Sequence, residues 1–284
     1  MIININGEIF SPEDAKIPVL DHGFLFGDSV YEVIRTANGR LFTATEHLER
    51  LRRSAEAVRL EVPLTNEQFI EEMRQSHEAS GNEESYIRLI LTRGAGEIDL
   101  HPQTCGRPNC IFIVKPLTVW PEEYYKQGVK VSLVSIHRNP STALSPEIKS
   151  GNYLNNVIAL MQAHDADAQE GIMLNPDGWV TEGTTSNIWI VREGTALTPS
   201  MKYGLLPGIT REMIFEMARA GSASASEAQI NGQDLLAAEE AFITSTTRGI
   251  MPVRQVDDKK IGSGQLGPVT QQLMSLLDER LQAN

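Results

Sequence analysis

The amino-acid sequence predicts an α+β fold in two domains, on three observations. A chain of 284 residues is long for one domain and suits two of ordinary size. Asn6-Gly7, Asn38-Gly39 and Asp177-Gly178 each sit between apolar runs, the pattern of tight antiparallel hairpins. Helical patterns come in separate stretches rather than in strict alternation with strands, which argues against a doubly wound parallel sheet.

The elements follow in order. Asn-Gly tolerates the positive φ angles of a two-residue turn, so the chain opens with β-structure. Thr43 followed by Glu46 reads as a capping box, and Leu48, Leu51, Ala55 and Val58 then share one face of a helix. Thr65 and Gln68 repeat the cap signal ahead of Phe69, Ile70 and Met73. Ser85 to Thr92 and Cys110 to Lys115 read as strands. Periodicity lapses between Pro116 and Gly128, around Trp120. The expectation is therefore a first α/β domain over 1–118, a linker over 119–128 and a second domain over 129–284. The second half offers a strand at 129–136, a helix from Asn152, the Asp177-Gly178 hairpin and a strand at 187–192. A helix then runs from the Leu206-Pro207-Gly208 stretch through Arg219, followed by an apolar strand from Ala241 to Ser245 and a C-terminal helix around Leu273, Leu276 and Leu277.

Composition excludes several classes. Hydrophobic residues at 41% and charged residues at 22% are those of a globular protein. A net charge of -12 repels phosphate backbones and anionic lipid, so neither nucleic acid nor membrane is an expected partner. Met1 to Phe10 lacks a basic start and a sustained apolar run, so the expected location is the cytoplasm. No GxGxxG follows a strand, and GxxxxGK[ST] is absent. Cys105 and Cys110 lack a second ligand pair and the six histidines are scattered, so no metal is expected.

Four segments carry candidate chemistry. Lys149, one of only eight lysines, precedes an apolar helix pattern; desolvated there, its amine would be freed to form an imine, the alternative being a surface lysine at a helix start. Glu182 is a single carboxylate among small polar residues in Thr181 to Asn187, able to keep a pyridine nitrogen protonated, or else an ordinary turn glutamate. Pro207-Gly208-Ile209-Thr210 opens a helix whose exposed amides suit a phosphate, or a helix start with no ligand. Period-two alternation puts Tyr86, Arg88 and Ile90 on one strand face, opposite Ile87, Leu89 and Leu91. Arg88 could there bind a carboxylate or pair with a nearby acid.

In this order the segments resemble the class IV, fold-type IV pyridoxal phosphate aminotransferases, the branched-chain and D-amino acid transaminase group. The resemblance runs through Asp21 to Asp28, Glu46 to Leu51, Tyr86-Ile87-Arg88, Lys149 to Asn155, Thr181-Glu182-Gly183, Leu206 to Arg211 and Thr244 to Pro252. It implies a two-domain fold-type IV enzyme with the active site at the domain interface, residues 129–284 forming the cofactor-binding domain, pyridoxal 5'-phosphate as cofactor, and a homodimer whose second subunit completes the site. By the same resemblance Lys149 forms the internal imine and moves the substrate proton, and Glu182 partners the pyridine nitrogen. Arg50, Ile209, Thr210 and Thr246 hold the phosphate, Leu206 packs on the ring, and Tyr153 lies near its phenolic oxygen. The implied reaction is ping-pong exchange of an amino group between an amino acid and a 2-oxo acid.

Substrate choice divides the motifs. Tyr86-Ile87-Arg88 resembles the branched-chain subgroup, in which the tyrosine side and amides matching Thr246 and Thr247 hold the carboxylate and the arginine serves acidic side chains. Residues 95–99 lack the arginine and histidine usual in D-amino acid enzymes. Val30-Tyr31-Glu32-Val33 instead resembles the D-amino acid and (R)-amine transaminases, with Tyr31 and Val33 facing substrate and Val33 narrowing the pocket. Arg248 departs from the branched-chain pattern and could bind substrate or point to solvent. The expectation is branched-chain L-amino acids with 2-oxoglutarate. The alternatives are a D-amino acid or (R)-amine transaminase, an aminodeoxychorismate lyase on the same scaffold, and a non-catalytic phosphate-binding or cofactor-binding protein.

Overall fold

The computed structural model describes residues 1–283, which fall into two compact units. The first comprises Met1–Thr118 with Ile148–Asn152 and the last residues from Leu281; the second comprises Val119–Glu147 and Tyr153–Arg280. Residues 119–128, expected as a linker, thus belong to the second unit and carry a short helix. Residues 148–152, expected in the second domain, pack with the first.

In the first unit the Asn6-Gly7 turn joins β1 (Ile2–Ile5) to β2 (Glu8–Phe10). After a short helix α1 (His22–Phe26), the Asn38-Gly39 turn joins β3 (Ser29–Ala37) to β4 (Arg40–Phe42). Helices α2 (Ala44–Ala57) and α3 (Asn66–Ser80) precede β5 (Ser85–Thr92) and β6 (Asn109–Pro116). The six strands form one antiparallel sheet in the order β2-β1-β6-β5-β3-β4. Strand alternation and helix spacing meet in one core: Ile87, Leu89, Leu91 and Phe112 of the sheet are buried against Leu48, Leu51, Phe69 and Met73 of α2 and α3. Tyr86, Arg88 and Ile90, on the other face of β5, remain half-buried.

The two helix starts differ. Thr65 and Gln68 make the reciprocal capping box. Thr43 does not: its backbone is left-handed at φ 52, and its hydroxyl donates to the Phe42 carbonyl at 2.8 Å. A capping side chain reaches the third amide of a helix only from an extended backbone, so the local conformation forbids the box expected with Glu46. Asp21 caps α1 by accepting the Gly23 N–H at 2.7 Å. The same carboxylate accepts from Thr92 and Asn109, so the Asp21 to Asp28 motif is fastened to β5 and β6.

The second unit opens with α4 (Glu122–Gln127), β7 (Val129–Leu133) and α5 (Leu154–Asp165). β8 (Glu170–Leu174) and β9 (Val180–Gly183) flank the Asp177-Gly178 turn, followed by β10 (Asn187–Arg192) and β11 (Thr195–Pro199). Then come α6 (Ile209–Arg219), β12 (Ala225–Ala228) and α7 (Gly232–Leu236). β13 (Glu240–Ser245), β14 (Gly249–Val256), β15 (Lys259–Lys260) and α8 (Pro268–Ala283) complete the chain. Nine strands form one mixed sheet, ordered β12-β11-β10-β13-β14-β7-β8-β9 with β15 beside β14. Its core joins Ile188, Ile190, Ile243, Met251 and Val253.

Strand β14 contains Pro252, which hides it from a strand pattern; pairing with β7 starts one residue later, at Val253. Helix α5 buries Ala159 and Ala163 while leaving Leu154, Val157, Ile158 and Met161 exposed. Among the described residues no helix is long and apolar enough to cross a membrane.

Replacing Thr65 by Ala removes the cap of α3 at a cost of about 1 kcal/mol, whereas Thr43→Ala changes stability by less than about 0.5 kcal/mol. Amide hydrogen exchange checks this: protection at Gln68 falls roughly fivefold in the first variant, and protection at the start of α2 is unchanged in the second.

Candidate active site

In the first unit the candidate residues collect at the start of β3. The segment around Lys149 adds to the edge of this strand that β4 leaves uncovered, since β4 pairs only from Arg35 onward. Tyr31 N–H donates to the Lys149 carbonyl and Gly151 N–H to the Ser29 carbonyl, at 2.9 and 2.8 Å. Glycine at 151 eases the approach, because a Cβ there would lie 2.2 Å from Ser29 Oγ and push that hydroxyl aside. Lys149 N–H donates to Ser54 Oγ of α2 at 3.1 Å, and Asn152 Nδ2 donates to the Gly27 carbonyl at 2.9 Å. Its backbone thus anchored, Lys149 carries its ammonium nitrogen 4.5 Å from the centre of the Tyr31 ring.

The same ring bears Arg88, whose guanidinium carbon lies 4.1 Å from its centre. Register explains the meeting: Val33 pairs with Arg88 and Arg35 with Tyr86, so Tyr31, Val33, Tyr86 and Arg88 share the half-buried face of the sheet. Lys115 Nζ lies 5.0 Å over the Tyr86 ring.

Glu32 points to the opposite face, toward α2. His47, Arg50 and Ser54 are spaced three and four apart on that helix and so form one stripe. Arg50 holds the Glu32 carboxylate in a fork, with Nε and Nη2 each 2.7 Å from an oxygen. His47 Nδ1 lies 2.7 Å from the same carboxylate and must carry the proton, because a carboxylate only accepts. Burial pushes the Glu32 carboxyl upward, and Arg50 and His47 more than offset it, holding the group well below the usual carboxylate range. Burial likewise pulls His47 below the ordinary imidazole value, against the raising effect of Glu32. Arg50, expected at the phosphate, is therefore also the counter-charge of a buried acid. Neither Glu32 nor His47 was assigned a role from sequence, although both lie inside the matching motifs.

In the second unit Glu182 is the next-to-last residue of β9, only 5% exposed. Its Oε1 accepts from Arg138 Nε at 2.7 Å and its Oε2 from the Leu206 N–H at 3.0 Å. Arg138 also reaches Asn155 Oδ1 at 3.3 Å, just after Tyr153, which is the N-cap of α5. Sequence reasoning missed Arg138, an isolated arginine in a stretch without periodicity. The Leu206 carbonyl accepts from Asn187 Nδ2 at 3.0 Å, which orients the approach to α6. Gly208 is the N-cap of α6, no side chain caps that helix, and a Cβ at Gly208 would lie 1.9 Å from Asn187 Oδ1. Ile209 and Thr210 thus open a helix whose first amides face outward at its positive end.

Thr246, Thr247 and Arg248 form the turn between β13 and β14. Thr244 pairs with Asn187, so this turn and the 184–186 loop lie at the same end of the sheet. Arg248 is not directed to solvent: its Nη1 lies 2.6 Å from the buried Glu170 carboxylate, and its guanidinium lies 4.8 Å over the Trp120 ring.

Residues 29–256 match the model of the amino-transferase class IV family. The chain belongs to the class IV aminotransferases. A Methanocaldococcus jannaschii protein provisionally named a branched-chain-amino-acid aminotransferase is 38% identical over 273 residues, 96% of this chain and 94% of that one. The D-alanine aminotransferase of Staphylococcus epidermidis is 34% identical over 281 residues, 99% and 98% of the two chains. Among solved structures, the T.th. branched-chain amino acid aminotransferase with pyridoxamine 5'-phosphate is similar with a TM-score of 0.93 at 30% identity, covering 99% of this chain and 93% of that one.

Class IV aminotransferases work with pyridoxal 5'-phosphate, and the residues of this chain fit that group. The Lys149 amine is of the chemical type that joins an aldehyde, and a buried carboxylate paired with Arg138 suits a protonated ring nitrogen. An uncapped helix start, with a glycine where a Cβ would collide, suits the phosphate. Among the described residues no group of three His, Cys, Asp or Glu side chains is arranged to hold a metal ion.

Exchanging Glu32 for Gln leaves Arg50 buried without its counter-charge and destabilises the protein at pH 7 by about 3 kcal/mol. A carboxyl lowered in the folded state contributes stability that is complete above the unfolded value of about 4.3 and is lost as pH falls toward the folded one. Thermal denaturation across pH should therefore show the gap between wild type and E32Q narrowing below about pH 4. His47, held uncharged by burial, adds a loss of wild-type stability on acidification that begins near the ordinary histidine value of about 6.5.

Proposed function

We propose that this aminotransferase exchanges amino groups between branched-chain L-amino acids and 2-oxoglutarate, with Lys149 as the catalytic amine. The observation that carries the reading is the Tyr31 ring, which Lys149 and Arg88 both approach, at 4.5 and 4.1 Å. A reacting amine and a carboxylate-binding cation thus share one aromatic surface.

In a ping-pong reaction the same pocket must take an aliphatic side chain in one half and a distal carboxylate in the other. Arg88 lies between Val33 and Ile113 in the sheet register, and Ile90 is paired with both Tyr31 and Ile111. Such a surface offers apolar contact to a branched side chain and a guanidinium to a second carboxylate. In this reading the amides of Thr246 and Thr247, with Tyr86, hold the α-carboxylate. Arg50, Ile209, Thr210 and Thr246 hold the cofactor phosphate, and Leu206 and Tyr153 border the ring.

When bound, pyridoxal phosphate supplies an electron sink for the pair left as the α-proton departs. Glu182, oriented by Arg138, stabilises a proton on the ring nitrogen. The Lys149 amine takes the α-proton in its neutral form and returns it to the other side of the exchange. Its backbone contacts to Tyr31 and Ser54 hold the amine in place for both transfers.

A second reading, transfer from D-amino acids, is favoured by the Tyr31-Glu32-Val33 sequence and by the similarity to a D-alanine aminotransferase. We further propose a homodimer, for which the exposed apolar row of Leu154, Val157, Ile158 and Met161 on α5 is a suitable surface. A cytoplasmic location is supported by the two unpaired thiols, Cys105 and Cys110, and by the net charge of -12.

Assays of L-leucine, D-alanine and (R)-1-phenylethylamine against 2-oxoglutarate test the substrate: L-leucine should turn over fastest, and activity confined to the other two rejects the branched-chain reading. Lys149→Ala should lower kcat by about 10²–10⁴-fold and abolish the visible absorption that borohydride removes from wild type. Arg88→Ala should raise KM for 2-oxoglutarate about tenfold while leaving that for L-leucine within about threefold, as measured in both half-reactions.

A further inference from the structure

The turn that links β13 to β14 has three residues and little slack. Ser245 pairs directly with Gly249, whose φ of 63 returns the chain to the sheet. Its last residue, Arg248, is gripped at both ends. The Arg248 N–H donates to Ser245 Oγ at 3.3 Å, and its carbonyl accepts from Tyr125 Oη at 3.1 Å. The guanidinium donates to Glu170 at 2.6 Å and stacks on Trp120. The segment expected as a bare linker thus supplies two of the contacts.

Glu170 lies at the start of β8 and is fully buried. Its Oε1 accepts from the hydroxyl of Thr184 and from the Gly171 N–H at 3.2 Å. Its Oε2 accepts from Thr185 Oγ1 at 2.7 Å, Ser186 Oγ at 3.2 Å and Arg248 Nη1 at 2.6 Å. Of these five donors only Arg248 carries charge. A carboxylate with no water around it holds its one cation firmly, so a substrate carboxylate approaching Arg248 would have to displace a better-placed acid. The three hydroxyl donors follow directly on Glu182-Gly183. One buried carboxylate therefore fastens both the segment that ends in Glu182 and the turn that carries Thr246 and Thr247.

We infer that Glu170 and Arg248 form a positioning pair that orients the Thr246-Thr247 turn toward the substrate carboxylate, with Arg248 acting through the turn and not touching substrate. The inference rests on the reading of that turn as the carboxylate site.

The test is a double-mutant cycle of R248M, E170Q and E170Q/R248M in the cofactor-loaded enzyme. Two quantities are measured: KM and kcat for the amino acid that wild type uses best, and calorimetric binding of unreactive 4-methylpentanoate. R248M should raise KM and weaken binding about tenfold, with kcat within about threefold. E170Q should weaken binding to a similar degree, and the double variant should be no weaker than R248M, because each residue acts only through the other. R248K, which keeps the charge but loses the planar guanidinium over Trp120, should fall between wild type and R248M and serves if R248M does not fold.

Binding in E170Q as tight as wild type or tighter, beside a tenfold loss in R248M, would mean that Arg248 touches substrate directly, and a double variant weakened by the product of the two single losses would mean that the residues act independently. Either result overturns the inference, as does an unchanged KM in R248M. Failure of the functional reading looks different, since wild type would then transaminate none of the amino acids offered, and the inference would fall with it.

Discussion

A carboxylate removed from water must find a cation or a set of hydrogen-bond donors, or the fold cannot keep it. Among the described residues three buried glutamates each meet an arginine, Glu32 with Arg50, Glu182 with Arg138 and Glu170 with Arg248, whereas buried Asp21 is held by neutral donors. The first ties β3 to α2, where Lys149 is anchored by Ser54. The second fixes the acid proposed for the cofactor ring, while the third holds the turn proposed for the substrate. Buried ion pairs are poor sources of net stability, but they tolerate few geometries. Here each stands beside a segment whose chemistry depends on placement.

The amine proposed to react is positioned by other means. Lys149 is held through its main chain, as an added rung on the uncovered edge of β3, and Gly151 eases the approach of that rung. The side chain then extends over Tyr31, with its charged end beside an aromatic face.

Much of the fold was legible because local rules decide it. The Asn-Gly turns, the Thr65 cap and the alternation of β5 rest on interactions within a few residues, and each appears where the sequence predicts it. Thr43 shows where such reasoning ends: the box residues are present, but the strand before the helix delivers Thr43 in a left-handed conformation that cannot use them. Strand β14 was obscured by its proline, and α4 by the absence of any apolar stripe in Glu122–Gln127. Of the candidate site, the motif residues were readable as an ordered set. Arg138 and Glu170 were not, since a lone charged residue signals nothing until its partner is known.

By itself, then, the sequence determined the fold class and the family, and it singled out the amine, the acid and the helix start proposed for the site, because these are written in local pattern and ordered motif. Only the tertiary structure decided the pairing of charges. Arg248 could equally have met substrate or solvent, and it meets Glu170, which lies 78 residues away in the chain. Charge partners are chosen by burial and by sheet register, and both arise from contacts between strands that no stretch of sequence contains.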